Sequence, residues 1–173
     1  MGELTVSGFP RTGTTYLRQI LQSAFPLLSV LDGQHRIQAL KESGCKAVTL
    51  RDPCDAVSSW IVYSDSRPVV IADALDWYCQ FIEQAMLSPE RIFLFTFDEF
   101  ICSPDKTMNQ FGESIGIESR TLDHEHIQSV MSQDFARSFP SANTEYKYKH
   151  SESIVNSDSY QRAFEMYEEA LDL

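Results

Sequence analysis

The chain has 173 residues and carries 14 lysines and arginines against 25 aspartates and glutamates, a formal net charge of −11. Its 43% hydrophobic content excludes a disordered chain and suits a single folded domain over residues 1–173. The acidic balance argues against a nucleic-acid binder and against a protein that binds anionic membranes, because both need a basic surface.

The sequence predicts neither a membrane span nor a signal peptide. No apolar run is long enough to cross a bilayer. The N-terminus lacks a basic stretch followed by an apolar one. The cysteines have no paired spacing, so we expect reduced thiols and a cytoplasmic protein. They are Cys45, Cys54, Cys79 and Cys102.

Strand and helix candidates alternate along the chain. The strand candidates are Leu4–Ser7, Leu27–Leu31, Lys46–Leu50 and Arg91–Phe97. The helix candidates are Thr14–Phe25, His35–Ser43, Pro53–Tyr63 with Asp52 as its N-cap, Val69–Leu87, Pro104–Gly116, Asp123–Gln133 and Ser157–Leu171, and residues 138–153 are polar and irregular. This alternation predicts an α/β fold of three layers, a parallel β-sheet flanked by helices. Ligands then bind beyond the carboxyl ends of the strands.

Residues 8–15 form the first motif, a glycine-bearing loop between a strand and a helix. They read Gly8-Phe-Pro-Arg-Thr-Gly13-Thr14-Thr15. Such a loop and the helix N-terminus form a cradle for an anion, because backbone N–H groups and the helix dipole favour negative charge. A P-loop for ATP or GTP has lysine where this chain has Thr14, so the nearest cation is Arg11. The glycine spacing alone is also typical of a plain turn.

The second motif follows the third strand candidate. Arg51 stands at its carboxyl end, Asp52-Pro53 opens a helix, and Ser59 lies two turns into that helix. A guanidinium and a hydroxyl from two elements can close on one anion. The alternative is that Asp52 only caps the helix and Arg51 forms a surface ion pair.

Together the two motifs resemble those of sulfotransferases that use 3′-phosphoadenosine 5′-phosphosulfate (PAPS). The first resembles their 5′-phosphosulfate loop, with an arginine as in tyrosylprotein sulfotransferases, and the second resembles their 3′-phosphate motif. A third, weaker resemblance covers Thr96-Phe-Asp98-Glu99-Phe100 followed by Ser103-Pro104. The resemblance implies a P-loop NTPase-like, sulfotransferase topology.

The resemblance also implies an activity. A sulfuryl group passes from PAPS to an acceptor hydroxyl or amine, leaving 3′-phosphoadenosine 5′-phosphate (PAP), and no metal is required. The implied roles are as follows: the 5′-phosphate is held by Thr12, Gly13, Thr14 and Thr15, the bridging and sulfuryl oxygens by Arg11, the 3′-phosphate by Arg51 and Ser59, and Tyr16 lies near the adenine. A first-turn aromatic such as Tyr16 is as often part of the core.

The acceptor must lose a proton, so a general base is needed beside it. His35 is the first candidate, because it follows a strand candidate and the imidazole of histidine titrates near pH 6.5 in model peptides. Asp32 is the second, since tyrosylprotein sulfotransferases use a carboxylate from this region. A surface or helix-cap role for His35 fits about as well.

The chain departs from the family pattern in its last third. The family's Arg-Lys-Gly contact to the 3′-phosphate aligns with Ser141, Ala142 and Asn143, so Lys147 or Lys149 is the candidate replacement. The chain is also short where acceptor pockets usually form. We therefore expect an open acceptor site, or one completed by a second subunit in a homodimer or by a larger substrate. The acceptor itself is a small molecule, a peptide or a glycan.

Two other functions fit the same residues. A P-loop nucleotide kinase would use Arg11 in place of the lysine and would need Mg²⁺ held by a carboxylate such as Asp98. A degenerate, non-catalytic domain would bind PAP or another phosphorylated ligand, or serve as an interaction module. The pair His124 and His126 has no third ligand nearby in sequence, which favours a solvated helix start over a metal site.

Overall fold

The computed structural model describes residues 2–64, 69–87, 92–129 and 150–173. The strands are β1 (Glu3–Gly8), β2 (Ser29–Asp32), β3 (Cys45–Leu50) and β4 (Ile92–Thr96). The helices are α1 (Thr14–Ala24), α2 (Ile37–Lys41), α3 (Pro53–Tyr63), α4 (Ile71–Met86), α5 (Phe97–Cys102), α6 (Pro104–Ile115) and α7 (Tyr160–Leu171). Residues 124–129 and 150–155 are also helical.

The described strands form one parallel sheet of order β2-β1-β3-β4. The chain leaves β1 towards β2 and leaves β3 towards β4, so the connections diverge between these two central strands. In doubly wound sheets that divergence opens the crevice in which ligands bind, at the carboxyl ends of the strands. Gly8 of β1 pairs with Thr49 of β3 at that end of the sheet.

Helices cover both faces of the sheet, because alternate strand residues point to opposite sides. On one face Leu4, Val6 and Phe95 pack against α1, α5 and α6. On the other face Val48 and Leu50 pack against α2, α3, α4 and α7. The predicted α/β fold with a parallel sheet flanked by helices is confirmed.

The second strand and the second helix begin later than predicted. Residues 26 and 27 lie in a turn, in which the Leu28 N–H donates to the Phe25 carbonyl at 2.9 Å, so β2 begins at Ser29. Gln34 and His35 adopt left-handed backbone, with φ of 52° and 56°. Because left-handed residues cannot continue an α-helix, α2 begins at Ile37.

Further differences lie in the second half of the chain. The apolar run predicted as one strand ends at Thr96, and Phe97 begins the short helix α5. Residues 150–155 are helical although residues 138–153 were expected to be irregular. The final helix begins at Tyr160 because residues 157–159 form a turn in which the Tyr160 N–H donates to the Ser157 carbonyl at 2.9 Å. The other predicted boundaries that fall on described residues agree with the structure or move by one or two residues. The predicted strand start at Arg91 and the predicted helix end at Gln133 lie outside the described ranges.

Candidate functional site

Buried hydroxyl groups anchor the loop after β1 to the end of the sheet. Thr12 is fully buried, and its Oγ1 donates to the Phe9 carbonyl at 2.6 Å. The hydroxyls of Thr12 and Thr49 lie 2.6 Å apart. Since the Thr12 proton is used on Phe9, Thr49 is the donor between the two hydroxyls. These bonds fix the loop between the ends of β1 and β3.

Gly13 turns the loop into α1. Its φ is 90°, a left-handed conformation, and it occupies the N-cap position with no side-chain hydrogen bond to the helix. The first turn of α1 contains no acidic residue. Thr14 is half-buried and Thr15 is exposed at this end. Because no acidic side chain offsets the positive end of the helix dipole, this dipole and the first backbone N–H groups favour an anion here.

Arg11 lies across the loop towards α3. Its φ is 68°, and its Nε donates to the buried Ser59 Oγ at 3.5 Å. The guanidinium also lies over the Tyr63 ring, 4.7 Å from the centroid. Burial lowers the pKa of Arg11 from its usual value, with the neighbouring Arg51 acting in the same direction. The side chain still carries its charge at neutral pH.

Arg51 supports the same loop from the end of β3. Its Nη1 donates to the Arg11 carbonyl at 2.9 Å, and its guanidinium lies 4.2 Å from the centroid of the Phe97 ring. The buried Tyr78 hydroxyl donates to the Arg51 carbonyl at 2.7 Å. Among the described residues, Arg51 Nε is buried without a hydrogen-bond partner. The structure thus brings together Arg11, Arg51 and Ser59, as the two motifs predicted.

Three carboxylates place negative charge near Arg51. Asp55 Oδ2 lies 3.6 Å from Arg51 Nη2. Burial lowers the pKa of Arg51, and the negative charges of Asp55, Asp98 and Asp52 oppose that effect. An anion that binds Arg51 must therefore compete with Asp55 for the guanidinium.

Tyr16, in the first turn of α1, packs among aromatic residues. Its ring stacks on Phe100, with centroids 6.0 Å apart and planes inclined by 24°. Burial raises the pKa of the Tyr16 hydroxyl, and the charge of Asp105 adds to that effect. Tyr16 packs against the core, as the alternative interpretation expected. A contact with adenine stays a prediction.

His35 faces the loop from the β2 side. Its Nδ1 lies 2.8 Å from the Gly8 carbonyl oxygen. A carbonyl only accepts, so Nδ1 carries the proton of this bond, and in the neutral ring Nε2 is left as the acceptor. This tautomer suits a general base.

Asp32, the second candidate base, is held by two donors. Arg18 Nη1 donates to its Oδ2 at 2.5 Å, and the Gln34 N–H donates to its Oδ1 at 2.9 Å. To take a proton from the acceptor, this carboxylate would have to give up its ion pair with Arg18. The contacts therefore favour His35 over Asp32 as the base.

A cleft of about 220 Å³ lies between α1 and the end of β2. It is lined by Val6, Thr14, Thr15, Arg18, Asp32, Gln34 and His35. The cleft thus adjoins both the N-terminus of α1 and the candidate base. A larger cleft, of about 330 Å³, has described walls from α4, β4 and α6 together with Leu173, at the edge of the sheet.

Sequence reasoning missed four residues that shape the site. Arg18, Phe97 and Tyr78 were given no role, and Asp98 was considered as part of the third resemblance and as a metal ligand but not as a neighbour of Arg51. Asp98 follows β4 as Arg51 follows β3, so the strand order would have placed them together. Arg18 lies one residue from the buried Leu17 in α1, and nothing in the sequence indicates its pairing with Asp32.

Some predictions fall outside the residues described or receive no support there. Ser141, Ala142, Asn143, Lys147 and Lys149 lie outside the described ranges. In the described part of the chain, no group of three or more histidines, cysteines or carboxylates is placed to hold a metal. His124 Nε2 instead lies 2.7 Å from Asp105 Oδ2, at the exposed start of a helix.

No protein-family model matches the chain, and no curated protein is significantly similar to it in sequence. The family resemblance therefore rests on the motifs themselves. Within the described ranges, no helix is both long and apolar enough to cross a membrane.

Proposed function

We propose that the chain is a PAPS-dependent sulfotransferase, which moves a sulfuryl group to an acceptor hydroxyl or amine and releases PAP. One observation carries the proposal. Arg11, Arg51 and Ser59 come from two separate motifs, yet they meet beside the N-terminus of α1, at the end of the sheet where the connections from β1 and β3 diverge. Two guanidiniums at a helix N-terminus favour a ligand with several anionic groups.

In the proposed complex the loop backbone and the hydroxyls of Thr14 and Thr15 hold the 5′-phosphate. Arg51 and Ser59 hold the 3′-phosphate, which distinguishes PAPS from ATP. Arg11 lies between these two groups, so its guanidinium stabilises the charge that develops on the leaving oxygen. Loss of one such donor typically lowers turnover by about 10²–10³.

His35 removes the proton from the acceptor. The acceptor oxygen or nitrogen attacks sulfur, the bond from sulfur to the bridging phosphate oxygen breaks, and PAP leaves with that electron pair. The acceptor proton passes to Nε2 of His35, because Nδ1 is already bonded to the Gly8 carbonyl. No step uses a metal.

Calorimetric titration with PAP and with ATP, each with and without Mg²⁺, tests this proposal. We expect PAP to bind without Mg²⁺ and more tightly than ATP. Arg51→Ala and Ser59→Ala should each weaken PAP binding by about tenfold or more, since a charge-assisted hydrogen bond contributes ~1.5–3 kcal/mol. Ser58→Ala is the matched control, because the Ser58 hydroxyl donates within its own helix, to the Asp55 carbonyl.

The other outcomes identify the alternatives. If ATP binds better than PAP and only with Mg²⁺, the kinase function with Asp98 as metal ligand replaces the proposal. PAP binding without PAPS turnover on any acceptor identifies a non-catalytic PAP-binding domain. No binding of either nucleotide overturns both nucleotide-binding functions.

A further inference from the structure

We infer that the cleft between α1 and β2 holds the acceptor, and that this acceptor is a small, uncharged polyol with neighbouring hydroxyl groups, such as a monosaccharide. This inference rests on the proposed function. The cleft shares Thr14 and Thr15 with the proposed 5′-phosphate site and shares His35 with the proposed base. An acceptor in it therefore meets the sulfuryl group and the base together.

Six of the seven residues that line the cleft have polar side chains. With the Thr14 and Thr15 hydroxyls on the 5′-phosphate, the cleft offers the acceptor a guanidinium, a carboxylate, an amide and an imidazole, and Val6 is its one apolar side chain. A phenol or a steroid needs aromatic or aliphatic walls, which enclose most drug-sized ligands. Hydroxyl groups, which both donate and accept, match this lining better.

The charges in the cleft cancel. Arg18 and Asp32 form an ion pair, and their side chains are 28% and 51% exposed, so both remain accessible to a ligand. Each carboxylate oxygen of Asp32 has a second lone pair beyond the one used by Arg18 or Gln34. Asp32 can therefore accept from two adjacent hydroxyls while Arg18 donates to one of them. A charged acceptor would meet one of these two groups as a like charge.

The size of the cleft limits the acceptor further. Its volume of about 220 Å³ is below the ~300 Å³ at which pockets begin to enclose drug-sized ligands. A cleft of this volume suits a single six-membered ring. In a longer glycan, only the sugar unit that is sulfated would enter the cleft.

The test compares three acceptors with PAPS: methyl α-glucopyranoside, 4-nitrophenol and glucose 6-phosphate. Sulfated product and PAP are both quantified. We expect transfer to the methyl glucoside with kcat/KM at least about tenfold above that for either of the other two. Better transfer to 4-nitrophenol overturns the inference while leaving the proposed function intact.

Two charge variants test the role of the ion pair. In Arg18→Ala the Asp32 carboxylate is the only charge that remains of the ion pair. This variant should raise KM for the methyl glucoside about tenfold. The rise in KM for glucosamine, a cation, should be smaller. Asp32→Asn leaves the Arg18 guanidinium and should shift preference towards glucose 6-phosphate. A merely structural role would lower activity on all these acceptors alike, and that result overturns the inference.

Arg36→Ala is the matched control, because Arg36 is an exposed arginine of the same region that does not line the cleft. Its KM for the methyl glucoside should not change. PAP titration of Arg18→Ala and Asp32→Asn separates nucleotide binding from acceptor recognition. Unchanged PAP binding with altered acceptor choice supports the inference, whereas absence of PAP binding in the wild-type chain overturns the proposed function itself.

Discussion

At the scale of single residues, Gly13 fits the loop closely against an aromatic wall. A Cβ at this position would lie 2.7 Å from Phe100 Cζ and 2.9 Å from Phe97 Cδ2, and its φ of 90° is already strained for an L-residue. We expect Gly13→Ala to lower the free energy of unfolding by about 2–5 kcal/mol, the sum of left-handed strain and overpacking. Urea denaturation measures this loss.

Gly44 provides the control for that prediction. Its φ is 100°, but nothing lies within 4 Å of an added Cβ. Gly44→Ala therefore reports backbone strain alone, about 1–2 kcal/mol. Equal losses for the two variants would show that the aromatic contact at Gly13 contributes nothing.

Thr12 links the loop to β3 through its hydroxyl. Thr12→Val keeps the shape but leaves the Thr49 hydroxyl without its acceptor in a buried place. We expect the free energy of unfolding to fall by about 1–3 kcal/mol, the cost of an unsatisfied buried group. Thr12→Ser, which keeps the hydroxyl, should lose much less in the same urea titration. A valine variant as stable as the serine variant would contradict the role given to this bond.

Residue identities predicted only part of the site. Arg11, Arg51 and Ser59 were predicted together because spacing along the chain places each at a strand end or two helical turns beyond one. The negative charge of Asp98 beside Arg51 was not predicted, because Asp98 comes near Arg51 only through the pairing of β3 with β4. Pairing between strands that are distant in sequence has no local signal.

At the scale of elements, Asp52 both caps α3 and places a negative charge near Arg51. Its side chain accepts from the Asp55 N–H at 3.0 Å, which confirms the predicted N-cap. Asp52→Ala should lower the free energy of unfolding by about 0.5–2 kcal/mol, because the cap is lost. Asp52→Asn keeps a capping oxygen and should lose clearly less. Thermal or urea unfolding of both variants measures the difference.

The asparagine variant also bears on ligand binding. Removing the Asp52 charge leaves one fewer carboxylate near Arg51, so PAP should bind Asp52→Asn somewhat more tightly than the wild type. Weaker binding in this variant, with stability retained, would show that Asp52 does not oppose the anion.

Element boundaries were predictable where capping residues mark them. α3 begins at Pro53 after Asp52, and α6 ends before Gly116, which is left-handed with φ of 68°. α2 was misplaced because Gln34 and His35 adopt left-handed backbone that their identities do not announce. That local conformation directs the His35 ring towards Gly8, so the feature hardest to predict is the one that sets the candidate base.

At the scale of the whole molecule, sequence alternation predicts a parallel sheet but not its order. The order β2-β1-β3-β4 depends on which face each crossover covers, and therefore on the packing of entire helices. The position of the crevice follows from that order. This is why the motif positions were predictable while the neighbours of each motif were not.

The tyrosines give the whole fold a characteristic response to alkaline pH. Burial raises the pKa of Tyr16, Tyr78 and Tyr167 above 10, and raises that of Tyr160 to about 12. A group whose folded-state pKa is raised holds its proton more tightly in the folded state. Its stabilisation is complete below the unfolded pKa, near 10, and is lost as pH rises towards the folded value.

We therefore expect the free energy of unfolding to be level between pH 7 and about 8.5 and to fall steeply above about 10. Burial of the thiols of Cys54 and Cys79 raises their pKa as well, so the decline begins near pH 9. Urea midpoints at pH 8 and 10.5 measure the effect. Tyr78→Phe is less stable at both values because its hydrogen bond to the Arg51 carbonyl is lost, but its decline with pH should be shallower. A wild-type slope in that variant would mean that Tyr78 does not contribute to the alkaline loss.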